Sequence, residues 1–338
     1  MTRAGTSTAV ITGVGAYLPP NTVSNHELVE RLDTTDEWIR SRTGIARRHV
    51  ISPGTTTADL AVEAGRRALK SAGHDRVDAV VLATTTPDRP CPATAPEVAS
   101  RLGLTGVAAF DVSAVCTGFL YGLATGAGLI AAGTAQHVLV IAAEAFTTLI
   151  DPEDRATAPI FGDGAGAVVL RAGRADEPGA VGPTLLGSDG ENADLVAVGT
   201  SGGARRADGG PLPREERYFR MAGRQVFRHA VTRMSVVCAD ALTAADWTAA
   251  DVDLLVAHQA NARITSAVAD FVGIPPERRA SNIELVGNTA GASVPVLLAD
   301  AAADGTLRPG HRVLLTAFGG GLTWGAATLV WPDVSPVL

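Results

Sequence analysis

Residues 110–133 read FDVSAVCTGFLYGLATGAGLIAAG. A short apolar run closes at Asp111-Val112-Ser113, a single cysteine follows at 116, and a long Gly/Ala/Leu segment begins just after it. The pattern predicts a buried strand, a tight turn and a buried helix, with Cys116 in the helix's first turn. The positive end of the helix dipole there is expected to favour thiolate, the form of cysteine that attacks carbonyls. The glycines at 118, 122, 126 and 128 fit a helix packed closely between two sheets.

Outward from this segment the chain repeats itself. Asp78-Ala79-Val80-Val81-Leu82 matches Asp253-Leu254-Leu255-Val256. Cys116 lies 38 positions beyond Asp78 (116 − 78), and Asn288 lies 35 beyond Asp253 (288 − 253). Each opens a helix, and each helix leads to an apolar strand, His137-Val138-Leu139-Val140 or Arg312-Val313-Leu314-Leu315. Two βαβαβ units in one chain predict an internally duplicated α/β protein, with halves at 1–173 and 174–338. Continuous Val/Leu/Ile strands fit sheets covered by helices on both faces. A pseudo-twofold pairing of the halves would set Cys116 and Asn288 at facing helix N-termini.

Composition narrows the class. The chain has 338 residues, 46% of them hydrophobic and 19% charged, which is globular. A net charge of −7 gives no general argument for binding nucleic acid or an anionic membrane. Cys91, Cys116 and Cys238 are widely spaced and form no C-x-x-C pair, which weighs against a zinc site or redox dithiol and fits a reducing cytoplasm. The apolar run near the N-terminus is too short for a secretory signal, and the Gly/Ala-rich helix after Cys116 reads as core rather than membrane span. The first strand is expected at Ala9–Tyr17, interrupted by Gly13 and Gly15. Thr57–Ser71 and Ala262–Val272 read as amphipathic helices. Gly202–Glu216, rich in Gly, Arg and Pro, reads as a mobile surface loop.

Three residues carry chemistry. Cys116 sits at a helix start, His258 at the end of the strand Val252–Ala257, and Asn288 in a Gly-Asn-Thr turn before a helix. Strand C-termini and helix N-termini are where α/β proteins place reactive groups. An imidazole and a carboxamide can both donate to a carbonyl oxygen that gains negative charge, as can amides at Cys116 and in Gly319-Gly320-Gly321. A cysteine nucleophile, two such donors and a Gly-rich wall fit acyl transfer through a thioester. Singly, each has an ordinary structural explanation: Cys116 as core, His258 as a satisfied strand end, Asn288 as a turn residue.

In combination and order, the motifs resemble the β-ketoacyl-(acyl carrier protein) synthase III family of the thiolase superfamily. They are Thr35-Asp36-Glu37-Trp38-Ile39 with Arg42-Thr43-Gly44-Ile45, and Asp111 through Phe119 around Cys116. Asp154-Arg155 and Phe161-Gly162-Asp163-Gly164-Ala165-Gly166 follow. Then come His258-Gln259-Ala260-Asn261-Ala262-Arg263-Ile264, Gly287-Asn288-Thr289 with Ser293-Val294-Pro295, and Phe318 through Gly325. The resemblance runs from about residue 8 to 332. It implies a five-layered αβαβα thiolase-like fold and a homodimer. It also implies a ping-pong enzyme in which Cys116 takes an acyl group from acyl-CoA and passes it to the carbanion left when a malonyl-carrier thioester loses CO2. By the same likeness His258 and Asn288 stabilise the enolate and the amides of Cys116 and Gly320 form the oxyanion hole. Trp38 and Arg155 sandwich the CoA adenine, with Arg42 near the phosphates. The likeness implies acyl-CoA as substrate and no resident cofactor or metal.

Departures from the family pattern bear on substrates. Cys91 stands where many relatives carry a bulky aromatic that closes the partner's acyl pocket, so a roomier or more polar pocket is expected, with an acyl donor that is not simply acetyl. Arg224 stands where some relatives have Asn near the CoA arm. Arg228 and Arg263 are the expected carrier-protein contacts, with Asp270 opposing them. An alternative keeps the thioester on Cys116 but passes it to a hydroxyl or amine of a small molecule, with His258 as general base. Asn288 favours condensation, because such an acceptor has no enolate to stabilise. The sequence leaves open which acyl chain is used and whether the pathway is housekeeping or specialised.

Overall fold

In a computed structural model of the protein the described residues are 7–199 and 213–338. The Gly202–Glu216 loop lies mostly outside them, and only its end is seen, in the four-residue helix Arg214–Arg217. The strands in chain order are β1 (Thr8–Tyr17), β2 (Thr22–Ser24), β3 (Arg47–His49), β4 (Ala79–Ala83), β5 (Ala108–Val112), β6 (His137–Glu144) and β7 (Gly164–Gly173). They continue as β8 (Val181–Ser188), β9 (Val196–Val198), β10 (Phe219–Met221), β11 (Leu254–Ala257), β12 (Arg312–Gly319) and β13 (Thr323–Val330).

Two main sheets organise the molecule. The first has the order β1-β7-β6-β4-β5, with β4 parallel to β5 and β6 and with β7 antiparallel to its neighbours. The second has the order β11-β12-β13-β8, with β11 and β12 parallel and β13 antiparallel to both its neighbours. Between them lie the helices Gly118–Ala131 and Ser293–Ala303. Leu120, Leu123, Val294 and Leu298 share one core with Val81 and Val140 of the first sheet and with Val256 and Leu315 of the second. The outer face of the first sheet is covered by the helices Thr57–Ala72 and Ala95–Arg101. The outer face of the second is covered by Gly223–Ala244 and Ala262–Val272. The result is the αβαβα arrangement, and its five layers follow from strands apolar on both faces.

Local chemistry explains the element ends. The helix Thr57–Ala72 opens with a capping box between Thr56 and Asp59 and stops at Gly73, whose φ is 65°. Gly13 and Gly15 do not interrupt β1. A Cβ on either would sit 2.5 or 2.4 Å from the backbone of Ala68, so they let that helix lie directly on the strand. Likewise a Cβ on Gly126 would meet Val140 at 2.9 Å and one on Gly122 would meet it at 3.1 Å, whereas Gly128 faces open space and has no packing role in the chain. The strand β8 gave no sequence signal because Gly182-Pro183 interrupt it; it is tolerated as the sheet's edge.

The duplication holds, with a different register. Asp78 and Asp253 each precede a strand and accept the amide at the start of a later one, His137 N–H at 2.9 Å and Arg312 N–H at 2.8 Å. The separation 253 − 78 is 175, and the same offset relates Val115 to Ala290, Gly118 to Ser293 and His137 to Arg312. Cys116 therefore corresponds to Gly291, and Asn288 to Ser113. The expected pairing of Cys116 with Asn288 is corrected: the two serve one site from non-equivalent positions.

Candidate active site

The cysteine stands in a strained turn. Val115 has φ 47°, a conformation that a β-branched residue rarely adopts, and the short 3-10 turn Val115–Thr117 precedes the helix. Its counterpart Ala290 has φ 45° in the turn Ala290–Ala292. The two turns touch: a Cβ on Gly291 would lie 2.9 Å from the Val115 carbonyl oxygen. On another side β12 ends flat against the cysteine, since a Cβ on Gly319 would lie 2.8 Å from Cys116 N. Thr323 fastens this contact. Its Oγ1 lies 3.2 Å from Ala114 O, 3.0 Å from Gly320 O and 3.0 Å from Thr117 Oγ1.

Asn288 and His258 are each fixed through one polar atom. Asn288 Oδ1 accepts Ala290 N–H at 2.9 Å, which leaves the amide NH2 for the cavity that the side chain lines. His258 Nδ1 lies 2.9 Å from Ser293 Oγ. Cys116, His258, Asn288, Gly319 and Gly320 share one cavity of ≈ 50 Å³, walled otherwise by apolar groups that include Phe161, Phe219, Met221 and Met234. Phe146, Phe161 and Phe219 form a closed aromatic cluster behind it, with ring centroids 4.6 to 5.3 Å apart.

A larger cleft of ≈ 540 Å³ continues outward, sharing Phe161, Met221, Val226, Ile264 and Asn288 with the inner cavity. Trp38, Arg42, Arg224, Phe227 and Arg263 line it toward solvent. Asn261 braces its wall, accepting Arg263 N–H and donating Nδ2–H to Arg42 O, both at 2.9 Å. Arg48 is buried, and its guanidinium donates to Val23 O, Asn25 Oδ1 and Pro159 O, holding the segment before Phe161. Burial lowers its pKa to about 10.

Electrostatics correct the thiolate expectation. Burial pushes the Cys116 thiol up to about 12, with the Glu144 carboxyl as a smaller contribution in the same direction. Burial also lowers the His258 imidazole to about 3. Desolvation therefore outweighs the helix terminus, and the resting pair is a neutral thiol and a neutral imidazole. Glu144, which carries no motif in the sequence, is wholly buried. Its carboxyl accepts from Thr85 N–H at 3.0 Å and from the Thr85 and Thr86 hydroxyls, each at 3.2 Å, and burial raises it to about 8. A lone acid closing the apolar run Val138–Ala143 was its available signal.

Other expected residues fall outside these cavities. Cys91 is exposed and does not line this chain's cavity. Arg228 is exposed beyond the cleft. Asp270 is paired with Arg279 at 2.6 Å and so does not oppose Arg228 and Arg263. Arg155 pairs with Asp33 at 3.1 Å, and its guanidinium carbon lies 5.6 Å from the Trp38 ring centroid. A planar ring between them needs about 7 Å, two stacking distances, so Arg155 must swing out to admit one.

Known proteins share the sequence and the fold. Residues 110–190 match the family model 3-oxoacyl-[acyl-carrier-protein (ACP)] synthase III, and residues 242–331 match the model of its C-terminal part. The chain is 61% identical over 339 aligned residues to β-ketoacyl-[acyl-carrier-protein] synthase III 3 of Streptomyces coelicolor, covering 100% of both chains. The chain belongs to the β-ketoacyl-(acyl carrier protein) synthase III family. Among solved structures of this family, the 3-oxoacyl-(acyl carrier protein) synthase III of Pseudomonas aeruginosa PAO1 superposes with a TM-score of 0.92 at 50% identity, over 97% of this chain and 100% of that one. The priming β-ketosynthase of the R1128 polyketide pathway superposes with a TM-score of 0.90 at 36% identity, over 96% and 97%.

Proposed function

We propose that this enzyme loads an acyl group from acyl-CoA onto Cys116 and condenses it with a malonyl-carrier thioester, priming a fatty-acid or polyketide chain. The observation that carries the reading is the convergence of Cys116, His258 and Asn288 on one cavity that opens into the cationic cleft. In the first half-reaction Cys116 Sγ attacks the thioester carbonyl, the bond to CoA breaks, and the thiol proton leaves with CoA. In the second, the malonyl carboxylate departs as CO2 and its electron pair becomes an enolate. Neutral His258 and the Asn288 NH2 donate to the enolate oxygen. The carbanion then attacks the acyl-Cys116 carbonyl, the C–S bond breaks, and the departing thiolate takes up a proton from solvent. Amides of Cys116 and Gly320 hold the carbonyl oxygen in both attacks.

Supporting roles follow the cleft. Arg42 and Arg224 meet CoA phosphates, and Trp38 with a displaced Arg155 stacks the adenine. Arg228 and Arg263 present exposed cations to an acidic carrier protein. The protein works without a resident cofactor or metal. The first sheet ends at β5, whose outer edge has no strand partner among the described residues, and a second copy paired there makes a homodimer. In that dimer Cys91 faces the partner's acyl pocket, and donors larger than acetyl are preferred. Among the described residues no helix is long and apolar enough to cross a membrane, and we place the enzyme in the cytoplasm.

The test is intact-mass measurement after incubation with a panel of acyl-CoAs. One acyl adduct per chain is expected in the wild type and none in Cys116→Ala, followed by CO2 release on adding malonyl-carrier protein. Adducts without CO2 would move the reading to transfer onto a hydroxyl or amine. A panel in which acetyl-CoA is much the best donor removes the larger-donor proposal alone.

A further inference from the structure

The helix after Asn288 starts at Ser293, and its buried hydroxyl serves the other half of the site. Ser293 Oγ accepts Gln259 N–H at 2.7 Å and lies 2.9 Å from His258 Nδ1. Gln259 is itself anchored, donating Nε2–H to Ala257 O and accepting the Ser281 hydroxyl, each at 2.9 Å. Ser293, His258 and Gln259 are all but fully buried, so no bulk water substitutes for a missing partner.

A serine hydroxyl has one proton and two lone pairs. Gln259 N–H takes one lone pair. Among the described residues, Nδ1 is the one acceptor that the Ser293 hydroxyl proton reaches. Were the ring proton on Nδ1, two N–H groups would converge on Oγ and the hydroxyl proton would be buried without an acceptor, which folded proteins avoid. With the proton on Nε2, every group is satisfied. Ser293 is thus the histidine's orienting partner, as such a ring's second nitrogen commonly requires.

We propose that Ser293 is a positioning residue that donates to His258 Nδ1 and holds the imidazole as the Nε2–H tautomer, with that N–H left for the Cys116 cavity. The inference rests on the condensation reading for its purpose: an Nε2–H donor stabilises the enolate oxygen, whereas an Nε2 lone pair repels it. Acyl loading onto Cys116 makes no such demand. The low proton affinity of the buried ring keeps this neutral donor in place at working pH.

The decisive experiment records imidazole 15N resonances of the histidine-labelled full chain, with His258 assigned by its absence in His258→Asn. The wild type is expected to show protonated Nε2 and unprotonated Nδ1. In Ser293→Ala the pattern should move toward a mixture, and Ser293→Thr should restore it. In kinetics, Ser293→Ala should lower kcat for malonyl decarboxylation about tenfold, with KM for the malonyl-carrier thioester little changed. Acylation should stay within about twofold. A wild-type Nδ1–H tautomer overturns the inference whatever the variants do. An unchanged tautomer in folded Ser293→Ala overturns it too, and Ser293→Gly supplies the same deletion if the alanine variant does not fold. An Nε2–H tautomer that depends on Ser293 in a protein that loads but does not condense would leave this inference standing and remove the proposed function.

Discussion

At Cys116 two local effects oppose each other, and burial wins. A helix terminus stabilises an anion by about 1 kcal/mol, while removing a thiolate from water costs several times that. With the thiol pushed up to about 12, alkylation of Cys116 in a Cys91→Ser background should keep accelerating with pH beyond 9. A rate that levels off below pH 7 would contradict the account. Glu144 and His258 give stability opposite pH slopes. The folded-state pKa of Glu144 is raised from 4.5 to about 8, so its contribution is complete below pH 4.5 and is lost as pH climbs toward 8. The His258 value is depressed from 6.5 to about 3, so stability falls as pH drops below 6.5. Between pH 6.5 and 8 Glu144 dominates this pair, and Glu144→Gln should flatten the decline in Tm there; parallel wild-type and variant curves would refute it. The convergence of Cys116, His258 and Asn288 on one cavity was legible because each ends or opens an element. Glu144 and Thr323 were not, because their partners lie 58 (144 − 86) and 209 (323 − 114) positions away and only the fold brings them together.

The helices that cap themselves were plain in the sequence. Thr56 and Asp59 announce one, and Asn261 and Gly273 bound Ala262–Val272 at both ends. Less legible were elements defined by what they lie against. Gly13 and Gly15 read as breaks until the helix on top of them is seen, and the edge strand β8 lacks the β-branched run that marks a buried strand. The close contact of the Gly118–Ala131 helix with β6 and β7 sets a firm expectation. Gly126→Val adds carbon where a Cβ already meets Val140 at 2.9 Å and Leu170 at 3.0 Å. It should cost about 1–3 kcal/mol, read as a lower denaturation midpoint. Gly319→Ala acts on chemistry instead. Its Cβ would press on Cys116 N at 2.8 Å, so acylation by acyl-CoA should fall by about tenfold or more. A fully active alanine variant would mean that the Cys116 amide holds no oxyanion.

Over the whole molecule, an ungapped 175-residue offset repeats strand, turn, helix and strand, and the duplicated layers were visible from the apolar strands alone. What the repeat does not carry is the chemistry: the position matching Cys116 is Gly291, and the histidine and asparagine come from one half only. The candidate site is therefore asymmetric within a symmetric frame, one half supplying Cys116, the proposed nucleophile, and the other His258 and Asn288, the proposed donors. Size-exclusion chromatography with light scattering should give twice the chain mass, as expected of the homodimer proposed at the β5 edge; a monomer would oppose the dimer and the role given to Cys91. The most direct test of condensation at Cys116 is to mix Cys116-acylated enzyme with malonyl-carrier protein and weigh both products. The enzyme should lose its acyl group while the carrier loses CO2 and gains that acyl group, one for one. An acyl-enzyme that persists beside intact malonyl-carrier protein would contradict it.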